Sequence, residues 1–71
     1  MKLTAVFEPA KEGGYTCFIE EMPAAISQGE TLEEAKSNLA DALKLVLEYQ
    51  RELAEKGLSP RALRESFELE A

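Results

Sequence analysis

Histidine and tryptophan are absent from this chain, and cysteine occurs once, at Cys17. Without histidine, and with a single thiol, no nitrogen-and-sulfur ligand set for a structural metal can be assembled. One cysteine also closes no disulfide within the chain. Long apolar runs are missing: nothing approaches the roughly 20 residues of a membrane span. The first residues alternate like a strand and lack the charged-then-apolar profile of a secretory leader. Positive charge is short as well. Eight Lys and Arg stand against fourteen Asp and Glu, giving a net charge of −6 and a pI ≈ 4.6. That balance argues against a nucleic-acid binder, which must neutralise phosphates with cations. It suits a basic protein partner, because complementary charge speeds encounter and discriminates between partners.

With 71 residues there is room for one domain, residues 1–71, and a thin core. Chains of this size bury only about 60% of their unfolded surface. Without cross-links, stability has to come from good local structure and from self-association. The expected location is the cytoplasm, where a lone thiol stays reduced.

The pattern along the chain is α+β. Lys2 to Phe7 alternates, with Leu3, Ala5 and Phe7 on one parity and Thr4 and Val6 on the other, which predicts a strand. Glu8 to Gly14 holds a proline and two glycines and predicts a turn. Tyr15 to Glu20 alternates again. Pro23 interrupts, and Ala24 to Gln28 is a third short strand. Thr31 then predicts a helix start. Its hydroxyl is placed to accept from the Glu34 N–H while the Glu34 carboxylate reaches back, a capping box. Leu32, Ala35, Leu39, Ala42, Leu43, Val46, Leu47 and Leu53 recur at helical spacing up to Lys56 and Gly57, so the helix spans about 32–56. Ser59-Pro60 predicts a short second helix through Glu65. The alternation of Phe67, Leu69 and Ala71 predicts a final strand returning to the sheet.

The string Gly13-Gly14-Tyr15, then Met22-Pro23, then Ser27-Gln28-Gly29-Glu30-Thr31 leading into a Glu- and Ala-rich helix resembles the HicB family. That family is the antitoxin side of HicA/HicB toxin–antitoxin pairs. The likeness runs from Leu3 to about Gly57. It departs from the family pattern at Pro23-Ala24, where Pro-Gly is common, and at Glu30, where Asp is common. The resemblance implies an antiparallel sheet of three to four strands on one long helix, in the order β-β-β-α-β, a partial ribonuclease H-like arrangement. It also implies a non-enzymatic role: binding and occluding a small basic HicA-like RNA-cleaving toxin. The alternative is a stand-alone HicB-like adaptor or regulator that binds another protein or ligand. Many family members add a DNA-binding module after this domain. The 14 residues after Gly57, with two arginines against three glutamates, are too short and too acidic to be one, so DNA binding is not expected.

Several residue groups invite chemistry. Gly13-Gly14 is not followed by the helix and Lys-Ser/Thr of a phosphate loop and is expected to serve a turn with positive φ. Glu8, Glu20 and Glu21 show no spacing that converges on a metal, unlike the carboxylates of a two-metal nuclease. Cys17 has no basic neighbour in sequence to activate it and is expected in the core or an interface. The partner-binding candidates are therefore the acids around the Met22-Pro23 bend and the helix start, Glu20, Glu21 and Glu30, with Met22 as an adaptable apolar contact and Tyr15 at the core's edge. No cofactor is expected. Both parities of the strands carry bulky apolar groups and one helix covers one face. Val6 and Phe18, on the uncovered parity, are thus candidates for a homodimer or tetramer interface.

Overall fold

A computed structural model describes residues 2–69. Three antiparallel strands, β1 (Ala5–Pro9), β2 (Tyr15–Ile19) and β3 (Met22–Gly29), form an open sheet in the order β1-β2-β3. One helix, α1 (Leu32–Glu55), follows and packs across β3 and β2. The α+β arrangement of strands and a single long helix is the one the alternation and the helical spacing predict.

The β1–β2 turn closes as its glycines require. Gly13 and Gly14 take φ of 101° and 75°, conformations that side-chain-bearing residues rarely adopt. Ala10 N–H donates to the Gly14 carbonyl at 3.0 Å and Gly13 N–H to the Ala10 carbonyl at 3.1 Å. β1 starts three residues later than the alternation predicts and includes Pro9, while β3 starts earlier and includes Pro23. Both prolines are tolerated because β1 and β3 are edge strands, where a missing N–H need not break a ladder. The β2–β3 pairing takes up the proline as an irregularity: Phe18 pairs with Ile26 and the adjacent Ile19 with Met22, which leaves Pro23 to Ala25 unmatched.

The core is small. Cys17, Ile19, Ala25, Ala35 and Leu39 are buried, with Phe7, Tyr15, Met22, Leu43 and Val46 partly buried around them. Ala25 and Ala35 are fully buried, and their small side chains let helix and sheet approach closely. At the helix start the Thr31 hydroxyl accepts from Glu34 N–H at 3.1 Å. The Glu34 carboxylate reaches one residue further back than a capping box, to Glu30 N–H at 3.1 Å. At the other end Gly57 has φ 77° and the chain leaves the helix there.

Two expectations fail beyond Gly57. Ser59-Pro60 begins only a turn, in which the Ser59 hydroxyl accepts from Arg61 N–H and its carbonyl from Ala62 N–H. A helix nucleus is costly, and nothing is packed against this one: Leu63 is 90% exposed. The returning strand is also absent among the described residues. Phe67 is 91% and Leu69 58% exposed, and Ala71 lies outside the described residues. Among the described residues the order is β-β-β-α, with three strands.

Candidate functional site

The strand register decides which residues share a face. Cys17, Ile19 and Ala25 turn toward α1, so the opposite parity forms the open face. Val6 pairs with Phe18, and Phe18 with Ile26. The three side chains therefore form one apolar row across all three strands. Val6 and Phe18 are half-buried by their neighbours, and Ile26 is 61% exposed. Glu8 follows Val6 on the same parity of β1, and Glu20 lies just past Phe18 at the end of β2, both exposed. An apolar row across the strands, with Glu8 on one side of it and Glu20 on the other, is thus the main feature of the uncovered face. The expected pair Val6 and Phe18 does lie together. Ile26 was not among the expected site residues; its role follows only from the pairing of β3.

The remaining candidates do not form one site. Because β2 and β3 are antiparallel, Glu20, Glu21 and Met22 lie at one end of the sheet, and Tyr15 and Glu30 at the other. Strands of this length separate the two ends by about 17 Å or more. Glu30 therefore does not join Glu20 and Glu21 in one acidic patch, as their common nearness to bends in the sequence suggests.

Each end has its own construction. At the first, the Glu21 carboxylate accepts from Thr4 N–H at 2.6 Å, and Glu20 N–H donates to the Thr4 carbonyl at 2.8 Å. Both groups of the Thr4 backbone are thus satisfied across the turn. The Thr4 N–H stabilises the ionised Glu21 and holds its carboxyl below the usual value. Glu21 is in this way partly a structural clip. Met22 is half-buried against the core, which leaves it little freedom as an adaptable contact. At the second end Tyr15 also packs on the core. Beside it, Glu12, Gly14, Gln28, Glu30 and Asn38 line an open cleft of ≈ 590 Å³. Asn38 Nδ2 donates to the Gln28 carbonyl at 2.9 Å and ties the helix to β3.

Cys17 is 1% exposed, with its thiol directed at the Ala35 carbonyl, 3.5 Å away. Burial pushes the thiol pKa up, the reverse of what activates a nucleophile. Among the described residues, no three acidic, cysteine or histidine side chains come together as a metal site. No helix of the described residues is long and apolar enough to cross a membrane.

Charge is unevenly divided. Residues 2–43, the sheet and the half of α1 that covers it, hold three cations and eight anions. Residues 44–64 hold five cations and three anions. The open face therefore belongs to a strongly acidic body, and the far end of the helix does not.

Comparison with known proteins agrees with the motif order. The chain is 40% identical over 66 residues to the UPF0150 protein ssl0738 of Synechocystis, covering 93% of this chain and 92% of that protein. It is 39% identical over 56 residues to Antitoxin HicB 1 of Photorhabdus laumondii and 37% identical over 49 residues to Antitoxin HicB of Escherichia coli K12. These two matches cover 79% and 69% of this chain but 36% of each antitoxin, so the chain spans about a third of the HicB antitoxins it matches. No protein-family model and no solved structure matches it. Near-complete coverage of one relative, with the glycine, proline and cap positions folded as the motif requires, shows that the chain belongs to the HicB-like UPF0150 family.

Proposed function

We propose that this protein is an antitoxin-type binding module whose acidic body engages and occludes a small basic toxin of the HicA kind. The observation that carries the reading is the Val6–Phe18–Ile26 row on the open face, half-buried at Val6 and Phe18 and exposed at Ile26, in a body with eight anions against three cations. An apolar centre gives an interface most of its affinity, and an acidic surround attracts a basic partner and speeds its approach. Face-to-face pairing of two such bodies would bring like charges together, so this arrangement favours a basic partner at Val6 and Phe18 over a second copy. Two relatives named as HicB antitoxins support the direction. Occlusion requires no chemistry from this chain: the module covers the toxin's RNA-binding and catalytic groups.

The test is co-expression with the small basic protein encoded beside this chain, scoring growth and co-purification. Relief of toxicity with a stable complex is the expected result. A toxic neighbour that this chain neither binds nor neutralises would overturn the reading.

A second reading has its own support. The relative that this chain matches over nearly its whole length bears no antitoxin name, and the HicB antitoxins are about three times longer than the matched segment. A stand-alone adaptor that binds another basic protein fits those facts. It predicts a neighbouring gene product that is not toxic when expressed alone.

A further inference from the structure

Hydrogen-bond parity decides which backbone groups of the sheet are free. Glu20 N–H donates to the Thr4 carbonyl and Ala10 N–H to the Gly14 carbonyl, in step with the β1–β2 register. Thr4, Val6, Glu8 and Ala10 therefore hold the hydrogen-bonded positions of that ladder, and Thr16 and Phe18 direct their N–H and C=O groups to β1. Their partners on β3, Gln28 and Ile26, then turn their own N–H and C=O groups away from β2, to the free edge of the sheet. The Gln28 carbonyl agrees, since it accepts from Asn38 of the helix at 2.9 Å.

The two edges of the sheet differ. β1 has five residues and carries Glu8 and Pro9, and a short strand with a charge and a proline is guarded against strand addition. β3 has eight residues and no charged side chain, in a chain that is 31% charged. Pro23 stands near one end and Asn38 covers the Gln28 carbonyl near the other. Between them Ala24 and Ile26 are exposed. Ile26 is also the most exposed member of the apolar row, so the row opens onto this edge.

We infer that the free edge of β3 is a strand-addition site, on which an extended segment of the basic partner lies and hydrogen-bonds to Ile26 and Gln28. The inference rests on the proposed function for the class of partner and adds the way that partner is held.

Charge selects the occupant. The uncharged strand is bracketed by acids: Glu20 and Glu21 precede it and Glu30 follows it, all exposed. Glu21 remains an anion while its carboxylate accepts from Thr4 N–H. The helix adds to the same side. Glu34, Asn38, Asp41 and Leu45 are spaced by four, three and four residues, which places them within about 60° of the helix circumference. The Asn38 bond to Gln28 sets that stripe on the β3-edge side of α1. It holds two acids, no cation, and Leu45 at 67% exposure. An extended segment with an apolar residue beside Ile26 and cations toward both ends complements all of these groups, the main chain giving affinity and the side chains specificity. A second copy does not. An antiparallel pair of β3 strands would set Glu20 and Glu21 against the second copy's Glu30 at both ends, and like charges across a strand pair are destabilising. The tail of this chain is unsuited as well, since residues 65–70 hold three acids and no cation.

The experiment is amide hydrogen exchange of the full-length protein, read by NMR, free and mixed with the purified basic protein encoded beside it. The Ile26 and Gln28 amides should exchange quickly in the free chain and slow by about tenfold or more in the complex. The Val6 and Phe18 amides, already in the ladder, should be protected in both. I26P removes the edge-facing N–H without taking a bond from the β2–β3 ladder, and I26V keeps that N–H. I26P should bind about tenfold or more weakly than I26V, with circular dichroism matching wild type in both. E30K, at the opposite end of the sheet from Glu20, should slow association at low salt. The exchange reading uses the wild-type chain and so stands even where I26P does not fold. A complex in which Ile26 and Gln28 exchange as fast as in the free chain overturns the strand-addition site and leaves the proposed function standing. I26P binding as tightly as I26V, or E30K associating at the wild-type rate, does the same. A neighbour that does not bind at all overturns both.

Discussion

Gly29 and Ala35 meet backbone to backbone: a Cβ placed on Gly29 would collide with the Ala35 amide nitrogen. The contact joins the last residue of β3 to the first turn of α1, and Ala35 is fully buried there. It sets how closely the helix lies on the sheet.

Replacing Gly29 with alanine should therefore destabilise the fold by about 1–3 kcal/mol, the usual cost of overpacking. The colliding atoms are backbone and have no rotamer to change. Gly13 makes the comparison. Its added Cβ meets nothing within 4 Å, but its φ is 101°, so alanine there should cost about 1 kcal/mol through backbone strain alone. Urea unfolding of the two variants measures both, and a Gly29→Ala protein as stable as wild type would remove the close-packing account.

Glu21 gives the fold a pH dependence. Its folded carboxyl is held below its ordinary value by the Thr4 N–H. The stabilisation is thus present above the unfolded carboxylate pKa and lost as pH falls through the lower folded value. Glu21→Gln should melt below wild type at neutral pH, with the gap closing as the solution is acidified. A gap that is constant with pH would show that the charge on Glu21 does not matter to the clip. Reversing Glu21 to lysine mixes this fold effect with any partner effect, which makes Glu8 and Glu20 the cleaner positions for charge reversal.

Cys17 should resist thiol reagents in the native protein and react at the rate of the free amino acid in denaturant. The side chain is 1% exposed and its pKa is raised by burial. Labelling under native conditions then reports transient opening of the helix from the sheet. Fast native labelling would show that α1 does not hold its position over β2.

The Thr31 cap is a local test of the helix start. Thr31→Ala removes the acceptor for the Glu34 N–H and should cost about 0.5–2 kcal/mol. Glu34→Ala removes the acceptor for the Glu30 N–H and should cost less, because that amide is exposed and water replaces the carboxylate. Equal and negligible costs would show that burial of Ala35 and Leu39 alone sets the helix.

Much of this architecture was legible from residue order because it rests on local rules. Positive-φ glycines mark the first turn, a hydroxyl cap and acidic first turn mark the helix start, and Gly57 marks its end. Nonlocal facts were not legible. The distance between Glu30 and Glu20–Glu21 depends on the antiparallel return of β3, and Ile26 joined Phe18 only through a pairing with three unmatched residues beside it. The alternation at Phe67 and Leu69 has strand character, but a strand also needs an edge to pair with, and sequence period alone does not supply one. The same limit hid how far α1 runs past Val46, its last residue packed on the core, since a helical stripe does not show where the sheet beneath it stops.

The central claim is that the open face, through its apolar row and flanking acids, holds a basic partner. Its most direct test is the binding of the purified neighbouring basic protein to wild type and to two double variants, F18S/I26S and E8K/E20K, by stopped-flow association and dissociation across salt concentration. The account predicts that F18S/I26S speeds dissociation at every salt concentration, because it removes the apolar centre. It predicts that E8K/E20K slows association at low salt, with the difference fading as salt screens it. Unchanged kinetics in both variants, with their folds intact by circular dichroism, would contradict the account and move the binding surface off this face.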